Sequence, residues 1–366
     1  MTAADGVLHG RVGLQQRVAP GYRAAFFDRL AGSCPDGLSV FAGEPRPDEA
    51  IVSASAFEVA KWERARNVHL FTQRLYLCWQ PGLRTWLERW DPQILILEAN
   101  LRYPSNWGAA AWMRERGRPV IGWGLGAPGA AGLAALPWRR FLRRLDGAIA
   151  YSQRGARQYA AAGFPADRIW VAPNAVAGPP GPLRQRAARR AGSSKLIFVG
   201  RLQARKRVDA LLEASSRLYP APEVWIVGEG PARAELEAQA SGLRVPARFF
   251  GDLRGRALDE RLDAADAFVL PGTGGLAVQQ AMARGLPVIV AEGDGTQEDL
   301  VTKDNGWLVP PGDVGALVET LRIALALPDR LLDMGLASHR LAVERFNLDV
   351  MVGVFLTAMQ AVRKGT

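Results

Sequence analysis

The sequence predicts an α/β protein built from two doubly wound, Rossmann-like domains. Short apolar runs alternate with longer amphipathic ones along the chain, which is typical of parallel sheets covered by helices. The alternation is interrupted at Pro173–Pro182, where prolines and glycines favour neither helix nor strand, and then begins again. A chain of 366 residues also exceeds what one hydrophobic core usually contains. We therefore expect two parallel sheets facing across a cleft, with ligands at the carboxyl ends of the strands.

The apolar and amphipathic runs place the elements on both sides of this linker. The predicted strands are Val12–Leu14, Leu38–Phe41, Ile94–Leu97, Pro119–Trp123, Gly147–Tyr151, Lys195–Val199, Val224–Val227, Ala247–Phe250, Ala267–Leu270 and Pro287–Ala291. The predicted helices are Tyr22–Ala31, Leu75–Trp90, Val208–Leu218, Pro231–Ala240, Leu258–Ala264, Leu276–Arg284 and Leu348–Val362.

The positive charge lies in the first half of the chain. Residues 1–190 contain 26 Lys and Arg against 14 Asp and Glu, a net charge of +12, whereas the remaining residues have a net charge of −2. Nine of the eleven tryptophans lie in the same half. This composition favours an anionic or amphipathic partner, although a solvated basic surface over core tryptophans would have it too. No helix-turn-helix, zinc-finger or RNP-like pattern accompanies the charge, so we expect no nucleic-acid partner.

We expect neither a cofactor nor a metal ion. Two cysteines, Cys34 and Cys78, are too few for a disulfide framework, and Glu292-Gly-Asp294 is the nearest approach to an Asp-x-Asp motif. The first ten residues have no apolar core of signal-peptide length, and the uncharged stretch Pro119–Trp138 is rich in glycine. These observations predict a cytoplasmic protein without a membrane-spanning helix.

Two loops are candidates for binding a phosphate. Gly200 follows a predicted strand and permits a tight turn, with Arg201 and Lys206 just beyond it. The strand Ala267–Leu270 leads through Pro271-Gly-Thr-Gly-Gly275 directly into a helix, whose first amides favour an anion. Solvated surface charges and a plain tight turn are the alternatives. Because G-x-x-x-x-G-K-[ST] does not occur, a P-loop loses its main support.

The order of motifs in the second half resembles the donor half of family-4 retaining glycosyltransferases, which have the GT-B fold. The resemblance is strong over about residues 195–325 and weak in the first half, where Gly21-Tyr-Arg-Ala-Ala-Phe-Phe27 and Val171-Ala-Pro-Asn174 contribute. The motifs that carry it are Gly200-Arg-Leu-Gln-Ala-Arg-Lys206, Val227-Gly-Glu-Gly-Pro231, Phe250-Gly251, Gln280-Ala-Met-Ala-Arg-Gly-Leu-Pro-Val-Ile289 and Asn305-Gly-Trp-Leu-Val-Pro-Pro-Gly-Asp313.

The resemblance implies a role for each residue of a donor site. Arg201 and Lys206 would hold the diphosphate of a nucleotide sugar, beside Gly200. Thr273 and the amides of Gly274, Gly275 and Leu276 would face the sugar and phosphate, and Asp252 with Leu253 would bracket the base. The family's two paired glutamates fall on Gly272 and Gln280. Gln280 can still bind the ribose hydroxyls, whereas Gly272 has no side chain with which to touch the sugar.

The acceptor side departs from the family as well. Many members place a histidine after a strand of the first domain, and this chain has only His9, His69 and His339, none of which follows such a strand. The predicted strand Ile94–Leu97 delivers Glu98 to its carboxyl end instead. We expect Glu98 to contact the acceptor hydroxyl, with a surface carboxylate as the alternative.

One basic segment suggests a membrane surface. In Leu136–Leu145, the apolar residues Trp138, Phe141, Leu142 and Leu145 share one helical face, and four arginines occupy the rest. This pattern is typical of a helix that inserts its apolar face into anionic lipid, and equally of a core-facing helix with solvated arginines.

Taken together, the resemblance implies a glycosyltransferase that moves a sugar from a nucleotide-diphosphate sugar to a glycan or lipid-linked acceptor. Residues 1–176 would bind the acceptor, residues 177–345 the donor, and residues 346–366 would form a helix that crosses back to the first domain. The enzyme would lie in the cytoplasm or on the inner face of the membrane. Three alternatives are a GT-B-like partner subunit that has lost catalysis, a GT-B sugar-nucleotide epimerase and, last, a nucleic-acid binder.

Overall fold

The computed structural model describes residues 7–49, 51–71, 76–129, 132–183 and 194–364. The chain divides into two compact units. The first comprises Met1–Gly178 together with Leu348–Thr366, and the second comprises Pro179–Asn347.

The first unit contains a parallel sheet of seven strands. Its strand order is β3-β2-β1-β6-β7-β8-β9. Successive strands are added on one side of β1 up to β3 and on its other side from β6 onward, so the strand order reverses between β1 and β6. Strands β4 and β5 form a separate antiparallel hairpin. The strands of this unit are β1 (Val12–Val18), β2 (Leu38–Gly43), β3 (Lys61–Arg64), β4 (Val68–Leu70), β5 (Leu77–Trp79), β6 (Ile94–Glu98), β7 (Val120–Gly124), β8 (Gly147–Ala150) and β9 (Ile169–Val171).

The second unit contains a parallel sheet of six strands in the order β12-β11-β10-β13-β14-β15. Its strands are β10 (Lys195–Val199), β11 (Glu223–Val227), β12 (Ala247–Phe249), β13 (Ala267–Leu270), β14 (Val288–Ala291) and β15 (Gly306–Val309). The predicted pair of doubly wound, Rossmann-like sheets is confirmed.

Helices cover both sheets. The first unit contains α1 (Ala24–Gly32), α2 (Leu83–Trp90), α3 (Pro104–Arg114), α4 (Leu136–Leu142), α5 (Gln153–Ala161) and α13 (Leu348–Lys364). The second contains α6 (Val208–Ser216), α7 (Arg233–Gly242), α8 (Gly255–Ala264), α9 (Leu276–Ala283), α10 (Thr296–Leu300), α11 (Val314–Leu325) and α12 (Pro328–Glu344). None of the helices described here is long and apolar enough to cross a membrane.

The helix predicted over Leu75–Trp90 is wrong in its first half. Residue 75 lies outside the described residues, and residues 77–79 form β5 rather than helix. Pro81 and Gly82 follow, and Gly82 adopts a left-handed conformation immediately before α2 begins at Leu83. Because proline and a positive φ both interrupt a helix, the helical period begins only after them.

The apolar face of α4 is part of the core of the first unit. Trp138, Phe141, Leu142 and Leu145 are all at most 8% exposed, and the Phe141 ring packs against Trp107. A side chain that fills the core has no free surface to insert into lipid. The prediction of apolar insertion through Leu136–Leu145 is therefore wrong, and the helix is a core-facing one with its arginines outside.

The last helix of the chain packs into the core of the first unit. Phe355 in α13 is fully buried, with its ring centroid 4.9 Å from those of Phe26 and Trp123. Asp349 of the same helix pairs with Arg29, and the Leu348 amide donates to the carbonyl oxygen of Ala177. The aromatic contacts make α13 part of this unit's core.

Replacing Phe355 by alanine should therefore destabilise the first unit. We expect the free energy of unfolding to fall by about 3–5 kcal/mol, because the change removes a buried aromatic side chain and leaves a cavity. Urea unfolding followed by tryptophan fluorescence measures it, since nine of the eleven tryptophans lie in residues 1–190. Thr357→Ala on the exposed face of α13 is the matched control and should change stability by less than about 0.5 kcal/mol. Equal unfolding curves for both variants would contradict the packing role of Phe355.

Candidate functional site

The second sheet brings both predicted phosphate-binding loops to one edge. Strands β10 and β13 are neighbours, with Leu196 opposite Ala267 and Ile197 opposite Phe268. The strand order reverses between them, and the carboxyl edge at such a point is where ligands of doubly wound sheets bind. The loop Gly200–Lys206, here called the cation loop, follows β10. The Gly272–Leu276 turn follows β13 and leads into α9.

Three hydrogen bonds tie the cation loop to this turn through one residue, Thr273. The Thr273 amide donates to the carbonyl oxygen of Arg205 at 3.1 Å. Arg205 Nη1 donates to Thr273 Oγ1 at 3.2 Å, and Lys206 Nζ donates to the Thr273 carbonyl oxygen at 2.5 Å. Two positive side chains are thus held against the turn before any ligand binds.

Gly272 is a glycine because the cation loop lies directly on it. A Cβ atom at this position would stand 2.3 Å from the Arg205 carbonyl oxygen and 2.6 Å from Lys206 Cα. Real Cβ contacts are never that short, so the close approach of the two loops excludes any side chain here. From the other side, the buried Gln297 donates through Nε2 to the Gly272 carbonyl oxygen at 2.9 Å.

Two further loops reach the same edge by close backbone contacts. Gly228 follows β11 with φ of 136°, and a Cβ there would lie 2.0 Å from the Gly200 carbonyl oxygen. The Gly228 amide donates to the Gly251 carbonyl oxygen at 2.7 Å, which connects this loop to the segment after β12. Asp252 and Leu253, predicted to bracket a base, follow Gly251 and therefore lie at the carboxyl edge of β12.

The surroundings of Lys206 disfavour its positive charge in the absence of an anion. Burial and the positive charge of Arg205 together lower the pKa of Lys206 from 10.5 to about 8. Both effects disfavour the charged ammonium, and an anion beside it would reverse them. Arg201 and Arg205 of the same loop have exposed side chains.

The first turn of α9 adds backbone donors to the same edge. Gly275 precedes the helix, and Leu276 is its first residue. The first amides of a helix have no intrahelical acceptor and lie at the positive end of its dipole. Gln280 lies one helical turn further on with its side chain exposed, as ribose binding would require.

Glu98 lies in the first unit, apart from the residues just described, at the carboxyl end of β6. Its Oε2 accepts a hydrogen bond from the Arg17 amide at 2.7 Å, and its own amide donates to Gln15 Oε1 at 3.1 Å. One carboxylate oxygen is thus engaged by the backbone at the end of β1. This geometry anchors Glu98 and limits its freedom to meet an acceptor.

The sequence analysis missed a buried arginine at the carboxyl edge of the first sheet. Arg23 is 8% exposed, and it donates to Gln16 Oε1 at 2.8 Å and to the Tyr151 hydroxyl at 2.7 Å. Its guanidinium lies 4.5 Å from the centroid of the Trp123 ring. The motif Gly21-Tyr-Arg contains Arg23 and was the available signal. Gln297, which supports the turn from behind, had no signal in the sequence.

Across the described ranges, no three His, Cys, Asp or Glu side chains converge as a metal site would require. In Glu292-Gly-Asp294, the Asp294 carboxylate serves local structure, since its Oδ1 accepts from the Thr296 amide at 3.0 Å.

Comparison with protein families and known proteins finds glycosyltransferases. Residues 182–339 match the model described as glycosyl transferases group 1, and residues 38–177 match the model of glycosyltransferase family 4. The chain is 36% identical over 137 residues to sulfoquinovosyl transferase SQD2 of Arabidopsis thaliana, covering 36% of this chain and 26% of that protein. It is 30% identical over 175 residues to the phosphatidyl-myo-inositol mannosyltransferase of Mycobacterium leprae, covering 46% of each. The chain thus spans less than half the length of these two relatives.

A solved structure shares the fold over nearly the whole chain. The apo form of the lipopolysaccharide outer core galactosyltransferase WaaB superposes with a TM-score of 0.70 at 18% identity, covering 96% of this chain and 99% of that one. With two glycosyltransferase models matching in chain order, the chain belongs to the family-4 glycosyltransferases and has the GT-B fold.

Proposed function

We propose that the protein transfers a sugar from a nucleoside-diphosphate sugar to an acceptor hydroxyl with retention of anomeric configuration. The observation that supports this most is the joining of the cation loop to the Gly272–Leu276 turn at the point where the strand order reverses. The product would be a glycolipid, a cell-surface polysaccharide or another glycoconjugate, and the relative named a phosphatidyl-myo-inositol mannosyltransferase supports a lipid-linked acceptor.

Each residue of the site has a role in this proposal. Arg201 and Lys206 bind the diphosphate, with Gly200 permitting the turn that brings them together. Thr273 and the amides of Gly274, Gly275 and Leu276 face the sugar and its phosphate. Gln280 binds the ribose, while Asp252 and Leu253 contact the base through their main chain.

The reaction follows from where negative charge develops. The bond between the anomeric carbon and the diphosphate oxygen breaks while the acceptor oxygen bonds to the same face of that carbon. The acceptor proton passes to the departing diphosphate oxygen. Lys206, Arg201 and the first amides of α9 then stabilise the charge that grows on the diphosphate, which is usually the largest contribution to such catalysis. This scheme requires no metal ion and no other cofactor.

On the acceptor side, we propose that Glu98 contacts the acceptor hydroxyl through the part of its carboxylate that the Arg17 amide does not engage. In the proposed scheme Glu98 orients the acceptor, since the diphosphate takes the proton.

One observation favours a second candidate, a nucleotide-sugar-binding subunit without catalysis. Gly272 cannot reach the sugar, because the cation loop leaves no room for a side chain there. Incubation of the purified protein with donor separates the two functions. Release of nucleoside diphosphate or transfer of sugar supports the enzyme, and tight binding without either supports the subunit.

We also propose that the protein works on the cytoplasmic side of a membrane, held there by charge. Arg139, Arg140 and Arg143 are exposed around α4, and Leu136 beside them is 53% exposed. These arginines could still attract anionic lipid, whereas the apolar residues of the same helix are buried in the core and cannot insert into it.

Lys206→Ala should weaken binding of UDP or GDP by about 10- to 150-fold, the contribution of one charge-assisted hydrogen bond. The wild-type affinity should fall as the pH rises above about 8, because the free protein then loses the ammonium proton that binding requires. Below that pH, the lysine is charged and the affinity should be level.

Calorimetry between pH 7 and 9 tests both expectations. The Lys206→Ala variant should show no fall in affinity over this range. Lys303→Ala is the matched control, because Lys303 is an exposed lysine just before β15, at the amino edge of the same sheet. A folded Lys206→Ala protein with unchanged affinity would remove this residue from the site.

Gln280→Ala should weaken nucleotide binding by about 2- to 13-fold, the equivalent of one neutral hydrogen bond, and Gln280→Glu should largely preserve it. The 2′-deoxynucleotide provides a sharper test, since it lacks one hydroxyl of the diol. Wild-type protein should bind it more weakly than the ribonucleotide, and the alanine variant should bind the two alike. If the alanine variant still prefers the ribonucleotide, Gln280 does not hold the ribose.

Reversing two charges with Arg139→Glu/Arg140→Glu should lower binding to anionic vesicles by at least about 30-fold, at about 1 kcal/mol for each arginine removed from the surface. Cosedimentation with vesicles of anionic or neutral lipid measures it. Arg157→Glu/Arg168→Glu makes the same change in net charge at two other exposed positions and should bind nearly as wild type does. Wild-type binding to neither vesicle would favour a soluble acceptor.

A further inference from the structure

The cation loop places a third positive charge beside the turn, in addition to the two that the proposed function assigns to the diphosphate. In a nucleotide sugar each phosphate carries one negative charge, and in the proposed function Arg201 and Lys206 meet these two. Arg205 adds a third positive charge, and its guanidinium is held at Thr273 Oγ1. Its partners there are neutral, since its Nε donates to Gln203 Oε1 at 3.0 Å. In the part of the chain that the structure describes, no Asp or Glu pairs with Arg205.

Arg205 lies beside the lysine to which the proposed function assigns the diphosphate. Lys206 and Arg205 donate to two oxygens of the same residue, Thr273, so both cations contact the turn at one point. The sugar of the donor is bonded directly to the diphosphate. In the proposed function, the exposed Arg205 side chain would therefore be within reach of the sugar.

The turn itself can supply no negative side chain to balance this charge. Position 272 is closed to any side chain by the Arg205 carbonyl oxygen and Lys206 Cα. At position 274, a Cβ would stand 2.2 Å from Lys206 Nζ. The residues between and after these positions, Thr273, Gly275 and Leu276, are uncharged. The turn itself thus contributes no negative side chain, and the positive end of α9 adds positive charge beside it.

We propose that the donor sugar carries an acidic substituent, a carboxylate or a sulfonate, which Arg205 binds. This inference rests on the proposed function and specifies its substrate class. Arg205 has a planar guanidinium that matches two oxygens of such a group, and it is a specificity-determining residue in this role. The acidic group, as a charged and therefore stronger acceptor, would replace the neutral Thr273 hydroxyl and Gln203 amide oxygen as the hydrogen-bond partner of Arg205.

Calorimetry with matched donors tests the proposal on the full chain. UDP-glucuronate and UDP-glucose share base and ring and differ in a carboxylate at C6, and GDP-mannuronate and GDP-mannose form a second such pair. The pair is chosen by whichever of UDP and GDP binds more tightly. Wild-type protein should bind the acidic donor about 10- to 150-fold more tightly than the neutral one.

Three variants separate charge at the sugar from charge at the phosphates. Arg205→Ala should abolish the preference for the acidic donor and leave affinity for the free nucleoside diphosphate and the neutral donor nearly unchanged. Arg205→Lys should keep part of the preference, since it retains the charge and loses the planar fork. Arg322→Ala is the control, because Arg322 is an exposed arginine in the last turn of α11, where it pairs with Glu319, and the variant should bind as wild type does.

Each contrary result has a distinct meaning. An equal loss of affinity for both donors and for the nucleoside diphosphate in Arg205→Ala would make Arg205 a phosphate ligand and overturn the proposal. Wild-type preference for the neutral donor would overturn it too, with the proposed function intact. If neither UDP nor GDP binds, the donor site itself is wrong, and this inference fails with it.

Discussion

The candidate site depends on the contact between the cation loop and the Gly272–Leu276 turn. Two loops from neighbouring strands approach so closely that the Arg205 carbonyl oxygen would stand 2.3 Å from any Cβ at position 272. The approach brings Lys206 to the Thr273 carbonyl oxygen and buries its ammonium enough to lower its pKa to about 8. The positive charge of the site is therefore held in place by contacts within the protein, as the proposed binding of an anionic donor would require.

Several glycines in the motifs shared with family-4 glycosyltransferases allow the loops at this edge to approach one another closely. Gly228 and Gly230 follow β11, where Cβ atoms would overlap with the carbonyl oxygens of Gly200 and Leu202 at 2.0 and 2.2 Å. Only backbone without side chains allows three loops to stack at one edge of the sheet. The motifs thus specify a scaffold that presents cations and helix amides. In the proposed function, side chains presented on this scaffold, such as Arg205 and Gln280, select the substrate.

Apolar runs in the sequence predicted most strands of the two sheets. The prediction failed for short strands, and it failed for the apolar face of α4, whose burial the helical period does not reveal. Each predicted strand overlaps an observed one, because buried parallel strands are continuous apolar runs. Strands β3, β4, β5, β9 and β15 were not predicted; they have only three or four residues each, too few for a clear periodic pattern. The amphipathic period of α4 was recognised, but period alone does not say whether core or lipid covers the apolar face. The cation loop and the turn were located from motifs, whereas the support of Gln297 depends on tertiary contacts that no local pattern contains.

The two units differ in the polar groups at the carboxyl edges of their sheets. This difference explains why a ligand class is easier to propose for the donor site in the second unit than for the acceptor site in the first. In the first unit, Gln15 donates to Gln80 at 2.6 Å, and Asn106 donates to Gln15 and to the Glu98 carbonyl oxygen, each at 2.9 Å. These residues are buried, and their hydrogen bonds stabilise the ends of β1 and β6 internally. The Arg23 guanidinium lies over the Trp123 ring and donates a hydrogen bond to the Tyr151 hydroxyl. Gln16 Nε2, Arg23 Nε and Asn106 Oδ1 in this region are buried without a hydrogen-bond partner among the described residues. In the proposed function, exposed residues around this edge would recognise the acceptor, and no motif fixes their identity. In the second unit the polar groups at the edge include cations and the first amides of α9, which favour an anion, and the proposed function assigns the donor diphosphate to them.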